Sequence, residues 1–328
     1  IIISGICEGF NFGQSTYKFD REKLLEISQW GNLKLGNSGE YFKYCRNMEI
    51  TASDAPYLAE TTNMYRTFQE CHSLSTTGNF NSWNVSTITN MEGMFWQTAH
   101  FNQPLNNWDV SSVTNMHQMF FRAYYFNQPL DAWNVSKVTD MSHMFENASF
   151  FNQTINMWDV SSVTDMSYTF HRAYRFNQPL GGWNVSGVTN MHAMFKNAMD
   201  FNQPLSSWDV SSVLDMGSMF EDDIEDFSDG IKIYNSVFDQ YIGSWDVSSV
   251  VNMSRMFAEC KEFSTDLSEW DVGSVTEMDS MFENILAANL GLDLSQWDIS
   301  NVKSMNKMFS GTQLHMGTYS QILIGWAK

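Results

Sequence analysis

"FNQPLNNWDVSSVTNMHQMF", Phe101 to Phe120, returns as "FNQPLDAWNVSKVTDMSHMF" from Phe126 and as "FNQTINMWDVSSVTDMSYTF" from Phe151. Each copy carries one Trp, then Asp or Asn, then Val-Ser. Trp83, Trp108, Trp133, Trp158, Trp183 and Trp208 lie 25 residues apart; Trp245, Trp270 and Trp297 follow at spacings of 37, 25 and 27. A fixed period in this range marks a repeat architecture. Nine Trp-marked rungs are expected from about Leu74 to Phe309, with the extra residues before Trp245 forming one acidic insertion over 221–237. "FRAYYFNQPL" at Phe121 and "HRAYRFNQPL" at His171 match 50 residues apart, so the middle reads as a duplicated two-rung unit.

Within a rung, Trp108 and Val110 alternate with polar Asn107, Asp109 and Ser111, a period of two that predicts a strand with one buried face. Val113, Met116, Phe120 and Ala123 then recur at spacings of three and four, which predicts a short helix capped by Ser111 or Ser112. "FNQP" returns the chain, with Pro129 at the turn. The expected fold is an α/β solenoid, a leucine-rich-repeat-like right-handed coil of strand–helix rungs. A rung cannot fold alone, and stacking buries one continuous core. A buried Trp hides ~150–250 Å², about 4–6 kcal/mol gross before chain entropy is subtracted. Met91, Met94, Met116, Met119, Met141 and Met144 read as a packing layer rather than a soft-metal site. The expected organisation is an N-terminal cap with a first degenerate rung over 1–47, a repeat body over 48–313 and a C-terminal cap over 314–328. "DREKLLEISQWGN" predicts a helix from Asp20 to near Gly31. "TYSQILIGWAK" is expected to lay Ile322, Leu323 and Trp326 on the last rung.

"LLEISQWGNLKL…YFKYCRNMEITASDAPYLAETTNMYRTF", followed by the "WDVSSVTNMxxMFxxAxxFNQPL" units, resembles the BspA-like bacterial surface-protein repeat family, also known as a domain of unknown function in mycoplasma lipoproteins. The resemblance runs from about Leu24 to Phe309. It implies a leucine-rich-like solenoid in secreted or surface-anchored proteins, with roles in adhesion or protein interaction, and it brings no catalytic motif. The acidic insertion and the 27-residue last spacing depart from the family's regular pattern. A subunit of an organellar or viral assembly is the alternative setting.

Of the 328 residues 43% are hydrophobic, enough for a packed core, and 37 acidic against 18 basic residues give a net charge of −19. That balance opposes binding to a nucleic-acid backbone or an anionic membrane. No apolar run is long enough to span a bilayer. The start "IIISG", without Met, reads as a strand in progress in a processed or truncated piece. Cys7, Cys45, Cys71 and Cys260 have no C-x-x-C spacing, so zinc has little support. Three of them take the rung's Ala position, as in Phe42-x-x-Cys45, Phe68-x-x-Cys71 and Phe257-x-x-Cys260; they are buried free thiols or, for Cys45 and Cys71, a bridge between neighbouring rungs. His117 and His192 share a rung position but stand three rungs apart, roughly 15 Å, too far to share a metal. No phosphate loop, metal-binding helix motif or nucleophile elbow is present, and no enzyme is expected.

Three functional readings follow. The leading one is a non-enzymatic structural or protein-interaction module, on a surface or within a large assembly, with Trp96, Phe121, Tyr124, Tyr125 and Tyr174 as a contact strip beside the caps and the insertion. The alternative is a glycan- or cation-binding adhesion module that uses the polar ladder. Its cation sites, for Ca2+, would be Asp209, Asp246, Asp271 and Asp298, or Asp222, Asp223 and Asp226 in the insertion. An enzyme is the third. Asn84, Asn134, Asn147, Asn152, Asn184 and Asn252 open Asn-x-Ser/Thr sequons and are candidate glycosylation acceptors on a secretory route. The Asn102, Asn127, Asn152, Asn177 and Asn202 row reads as a ladder of amides that satisfies backbone groups. The alternation Asn84, Asp109, Asn134, Asp159, Asn184 works against cation binding. Adjacent carboxylates ~5 Å apart repel by ~0.8 kcal/mol even in water, and alternation halves that. Both residue types can accept a bond from the following Ser turn, so the row reads as turn stitching.

Overall fold

The structure is a computed structural model that describes residues 9–15, 18–74, 78–222, 236–286, 293–312 and 314–327. The chain divides into two compact units, Ile1–Ser162 and Val163–Lys328.

Regular elements are few: α1 Lys18–Arg21, the parallel two-residue strands β1 Glu26–Ile27 and β2 Glu49–Ile50, and α2 Met316–Trp326, besides a 3-10 turn at Phe80–Ser82. The predicted helix over Asp20–Gly31 is therefore corrected to one turn followed by an extended segment. Glu49 N–H donates to Leu25 O and Thr51 N–H to Ile27 O, while Asp54 holds the N–H groups of Trp30 and Gly31. Pairing with the next rung takes the backbone groups a helix would need.

The rungs also differ from expectation. Trp108–Val110 keeps its alternation of buried and exposed residues, yet it forms no strand, and Val113–Ala123 is a run of tight turns rather than a helix. Met119 N–H donates to Met116 O, Phe121 to Gln118 O and Ala123 to Phe120 O, each an i to i−3 bond. Between them, Met116, Gln118, Phe120 and Arg122 donate to Asp140, Ser142, Met144 and Glu146 O in the following rung. Alternate N–H groups thus close turns and bond the neighbour, a pattern no α-helix allows.

Two residues per rung make this possible by adopting positive φ, as at Gln118 (55°) and Arg122 (55°) in unit 1 and Tyr168 (56°) and Arg172 (57°) in unit 2. Every non-glycine residue at positive φ among the described residues sits at one of these two sites. With the i to i−3 bond, positive φ at the third turn residue is the type II arrangement. The four-bond step recurs within unit 1 from Met64 to Arg122, and within unit 2 from Met166 through Met191, Met216 and Met253 to Met278. Isolated parallel bridges mark the same register, Asn90↔Asn115↔Asp140 in unit 1 and Asp165↔Asn190↔Asp215↔Asn252↔Glu277↔Ser304 in unit 2.

The core is columnar. In unit 1, Trp108, Trp133 and Trp158 stack at 6.4 and 6.3 Å, within 4° of parallel, and Phe95, Phe120 and Phe145 stack at 5.6 Å. In unit 2, Phe170, Phe195, Phe220, Phe257, Phe282 and Phe309 form one column at 5.6–5.9 Å. Buried indole N–H groups usually find a partner, and those of Trp108, Trp133 and Trp158 in unit 1 and of Trp208, Trp245, Trp270 and Trp297 in unit 2 reach a carbonyl of the preceding rung, whereas the buried Trp83 Nε1 makes no such bond. Trp133 Nε1 donates to Leu105 O at 2.9 Å, and Trp270 Nε1 to Ile242 O at 3.1 Å. The six methionines named above are fully buried among these columns.

In unit 2, α2 closes the described chain. His315 Nδ1 caps it by accepting from Gly317 N–H at 3.2 Å. Ile322 is buried and Trp326 half-buried, as expected, but Leu323 is 46% exposed and does not cover the rung. It follows Ile322 on the helix and so turns toward water.

Candidate interaction surface

In unit 1 Trp96 and Phe121 follow the column residues Phe95 and Phe120. Trp96 and Phe121, both half-buried, meet edge to face at 5.6 Å. The Arg66 guanidinium lies 4.7 Å from the Trp96 ring centre and 4.9 Å from that of Tyr65; Arg122 lies 5.3 Å from that of Phe121. Such cation–π contacts fix long side chains that would otherwise sweep solvent. A second row lies on the turn that follows. His100, Tyr125 and Phe150 stack at 5.4 and 5.2 Å, tilted by 10° and 17°. Bonds from Tyr125 N–H to Ala99 O and from Phe150 N–H to Tyr124 O set that row's register. Tyr125 is 50% exposed, Phe150 is exposed and Tyr124 half-buried. Phe150 was not singled out by sequence, although its 25-residue offset from Tyr125 was readable.

Unit 2 places charge at several of the equivalent positions, although Ala258 and exposed Val237 stand at others. Lys196 Nζ stands 3.0 Å from Glu221, and Arg255 Nε donates to Glu221 Oε1 at 2.8 Å. Glu221 is only 2% exposed. Burial pushes its carboxyl up, but the Arg255 hydrogen bond and the Lys196 charge outweigh burial and hold it below the ordinary range. Arg175 and Asp200 pair at 3.4 Å on the outer row. Tyr174 is 6% exposed, so its ring offers no surface to the contact strip, and its carbonyl accepts from Asp200 N–H.

The polar ladder is engaged by the turn. Asn84, Asp109, Asn134 and Asp159 in unit 1 accept from the N–H two residues on, at 3.1–3.2 Å. Asn184, Asp209, Asp246, Asp271 and Asp298 do the same in unit 2, at 3.0–3.2 Å. The serine hydroxyls and N–H groups hold Asp109, Asp159, Asp209 and Asp246 below the ordinary carboxylate range. Among the described residues no three His, Cys, Asp or Glu side chains converge as cation ligands. Asp223 and Asp226, with most of the insertion, lie outside the described residues. Asp222 is fully buried and accepts from Ser236 N–H at 2.7 Å, so it is an interior anchor rather than part of a solvated acidic loop.

A second ladder escaped the sequence reading. Asn63, Asn90, Asn115 and Asp140 in unit 1, and Asp165, Asn190, Asp215 and Asn252 in unit 2, each accept from the N–H two residues on at 2.7–3.0 Å. The Asn or Asp directly before each Met was its signal. The "FNQ" amides bond from rung to rung as expected: Asn127 Oδ1 accepts from Asn152 N–H and Gln153 Nε2 in unit 1, and Asn177 Oδ1 from Asn202 N–H and Gln203 Nε2 in unit 2.

Among the sequons, Asn84, Asn134 and Asn184 are exposed, and Asn152 and Asn252 half-buried. Asn147 is 3% exposed at φ 57°, a left-handed turn site closed to a glycan. Cys7 lies outside the described residues. Cys45, Cys71 and Cys260 are buried free thiols, which corrects the conceivable Cys45–Cys71 bridge. Cys71 Sγ donates instead to Phe42 O at 3.1 Å, and Cys260 Sγ to Phe220 O at 2.7 Å. No helix among the described residues is long and apolar enough to cross a membrane.

Three overlapping stretches, residues 62–158, 128–234 and 224–321, match the family model described as Mycoplasma protein of unknown function, DUF285. No curated protein and no solved structure matches the chain.

Proposed function

The chain belongs to the DUF285 family of Mycoplasma proteins of unknown function, and from that premise we propose that it is a non-enzymatic protein-interaction module. In this reading its rungs build a leucine-rich-like solenoid of the BspA-like kind, secreted or displayed on a cell surface, where it serves adhesion or assembly. The observation that carries the reading is the exposed aromatic row His100, Tyr125 and Phe150 beside Trp96 and Phe121. The regular polar side chains are tied to their own turns and offer little to a ligand, whereas this row presents aromatic area without a structural duty. Aromatic residues dominate binding hot spots. The test is affinity capture from the native source with wild type and the Y125S/F150S double variant. Both should melt at about the same temperature, and the variant should lose a partner that wild type retains. Identical capture by the two would sink the proposal.

A further inference from the structure

Each turn run in unit 2 donates four N–H groups to the next, and the last run has no successor among the described residues. Met278, Ser280, Phe282 and Asn284 donate to Ser304, Asn306, Met308 and Ser310 O. One rung on, the equivalent donors are Met305, Lys307, Phe309 and Gly311, and none of their N–H groups has an acceptor among the described residues. The i to i−3 bonds of this run are intact, with Met308 N–H on Met305 O and Ser310 N–H on Lys307 O, so the run is fully formed. Positive φ at Lys307 (56°) and Gly311 (70°) repeats the geometry of the rungs before it. Helix α2 does not cover this edge. It covers the core side, where Phe309 meets Tyr319 and Trp326 at 6.1 Å, and it leaves Lys307 and Gly311 exposed, whereas Ser280, one rung earlier, is buried.

A row of unpaired backbone donors in ladder register is a template for an added segment. The opposite polarity in unit 1 is closed: Tyr41 O accepts from Phe12 and Gly13 N–H, and Gly39 O from Asn11 Nδ2. A second copy therefore cannot offer Gly39 O and Tyr41 O as the acceptors. Charge then indicates the partner. Exposed Lys303 and Lys307 flank the edge in a chain of net charge −19. The nearby carboxylates are engaged, Asp279 by Ser304 Oγ (2.6 Å) and Asn306 N–H (2.5 Å), Glu283 by Arg255 at 3.3 Å. Lys307 stands 3.8 Å from Glu283 and keeps 70% of its side chain exposed.

We propose that the Met305–Gly311 edge docks an acidic segment of a partner protein, whose alternate carbonyls continue the ladder by one rung. This surface is separate from the aromatic row of unit 1 and does not depend on it. The probe is a synthetic peptide with the chain's own acidic turn-run sequence, VLDMGSMFED (residues 213–222), with a scrambled peptide as control, read by residue-resolved amide exchange on the whole chain. Saturating peptide should slow exchange at Met305, Lys307, Phe309 and Gly311 at least tenfold, leave Met308 and Ser310 unchanged, and lose its effect on a K303E/K307E variant. The proposal is overturned if the four amides exchange slowly without peptide, if peptide leaves them fast, if the scrambled peptide protects them equally, or if the charge-reversed variant binds as well.

Discussion

Trp326 donates its indole N–H to Leu294 O at 2.8 Å, and Trp297 donates to Leu267 O at 3.0 Å in the same manner. Helix α2 thus completes the indole series with a residue outside the repeat, and Trp326 also stacks on Phe309 as a rung Trp would. Trp326→Ala should lower the unfolding free energy by about 2–4 kcal/mol, near the lower end for a buried aromatic because the ring is half-exposed. Trp326→Phe keeps much of the stack and leaves Leu294 O without its donor, for a loss of about 1–2 kcal/mol. Urea denaturation followed by the far-UV signal measures both.

Gly325 gives a less obvious expectation. Glycine inside a helix normally costs about 1 kcal/mol against alanine, so Gly325→Ala ought to stabilise. Here a Cβ would stand 2.1 Å from Ser295 O. The substitution should push α2 off its rung and lower the melting temperature by several degrees. An increase would show that the helix does not dock this closely.

Gln118 sits at φ 55°. Glycine adopts that conformation freely, whereas a β-branched side chain strains it. Gln118→Gly should stay within about 0.5 kcal/mol of wild type, the relieved strain offset by greater freedom in the unfolded chain. Gln118→Val should lose about 1–2 kcal/mol. Equal effects in thermal melts would argue against the type II turn.

The ladder carboxylates set an acid limit. Hydrogen bonds from the following serines hold Asp109, Asp159, Asp209 and Asp246 below the ordinary value near ~3.9. As pH falls, the unfolded chain takes up protons first. The stabilisation is therefore complete above the unfolded value and is lost as pH drops through the folded one. Melting temperatures should be flat above about pH 5 and fall below about pH 4. Asp159→Asn keeps the acceptor and should flatten the acid limb; Asp159→Ala should lower stability at every pH.

The buried thiols set the alkaline limit. Burial pushes Cys45 up to about 12, and Cys71 and Cys260 well above their ordinary range. Their stabilising share is whole below the unfolded value of ~8.5 and declines as pH rises beyond it, because only the unfolded chain then ionises. At pH 8 an alkylating reagent should leave these three unlabelled in the native chain and label them all in urea, read by mass spectrometry. Rapid native labelling of Cys71 would contradict its contact with Phe42 O.

The columns were legible because a stacked ring has to recur at one position per rung: Trp108, Trp133 and Trp158 announced both the period and the buried face. The amide row from Asn102 and the stitching by Asp109 were legible for the same reason. The turn run was not. Val113, Met116 and Phe120 follow helical spacing, but turns that alternate i to i−3 bonds with bonds to the neighbour bury the same residues. The residues at positive φ, among them Gln118, Arg122 and Tyr168, are seldom the glycine or asparagine that would announce a left-handed site. Tyr174 shares its repeat position with Tyr124, which is half-buried, and periodicity alone cannot tell that the ring at Tyr174 is buried.

The left-handed pair in each rung also has a kinetic consequence. A non-glycine residue at such φ is unfavourable by itself, and here the flanking rungs hold it through four bonds on each side. An isolated turn run would relax toward a helix, which its apolar spacing also suits. A formed rung therefore acts as a template that imposes the unusual backbone on the next. By the nearest-neighbour logic of stacked repeats, two adjoining rungs within a unit are expected to form the costly nucleus, with growth one rung at a time from it.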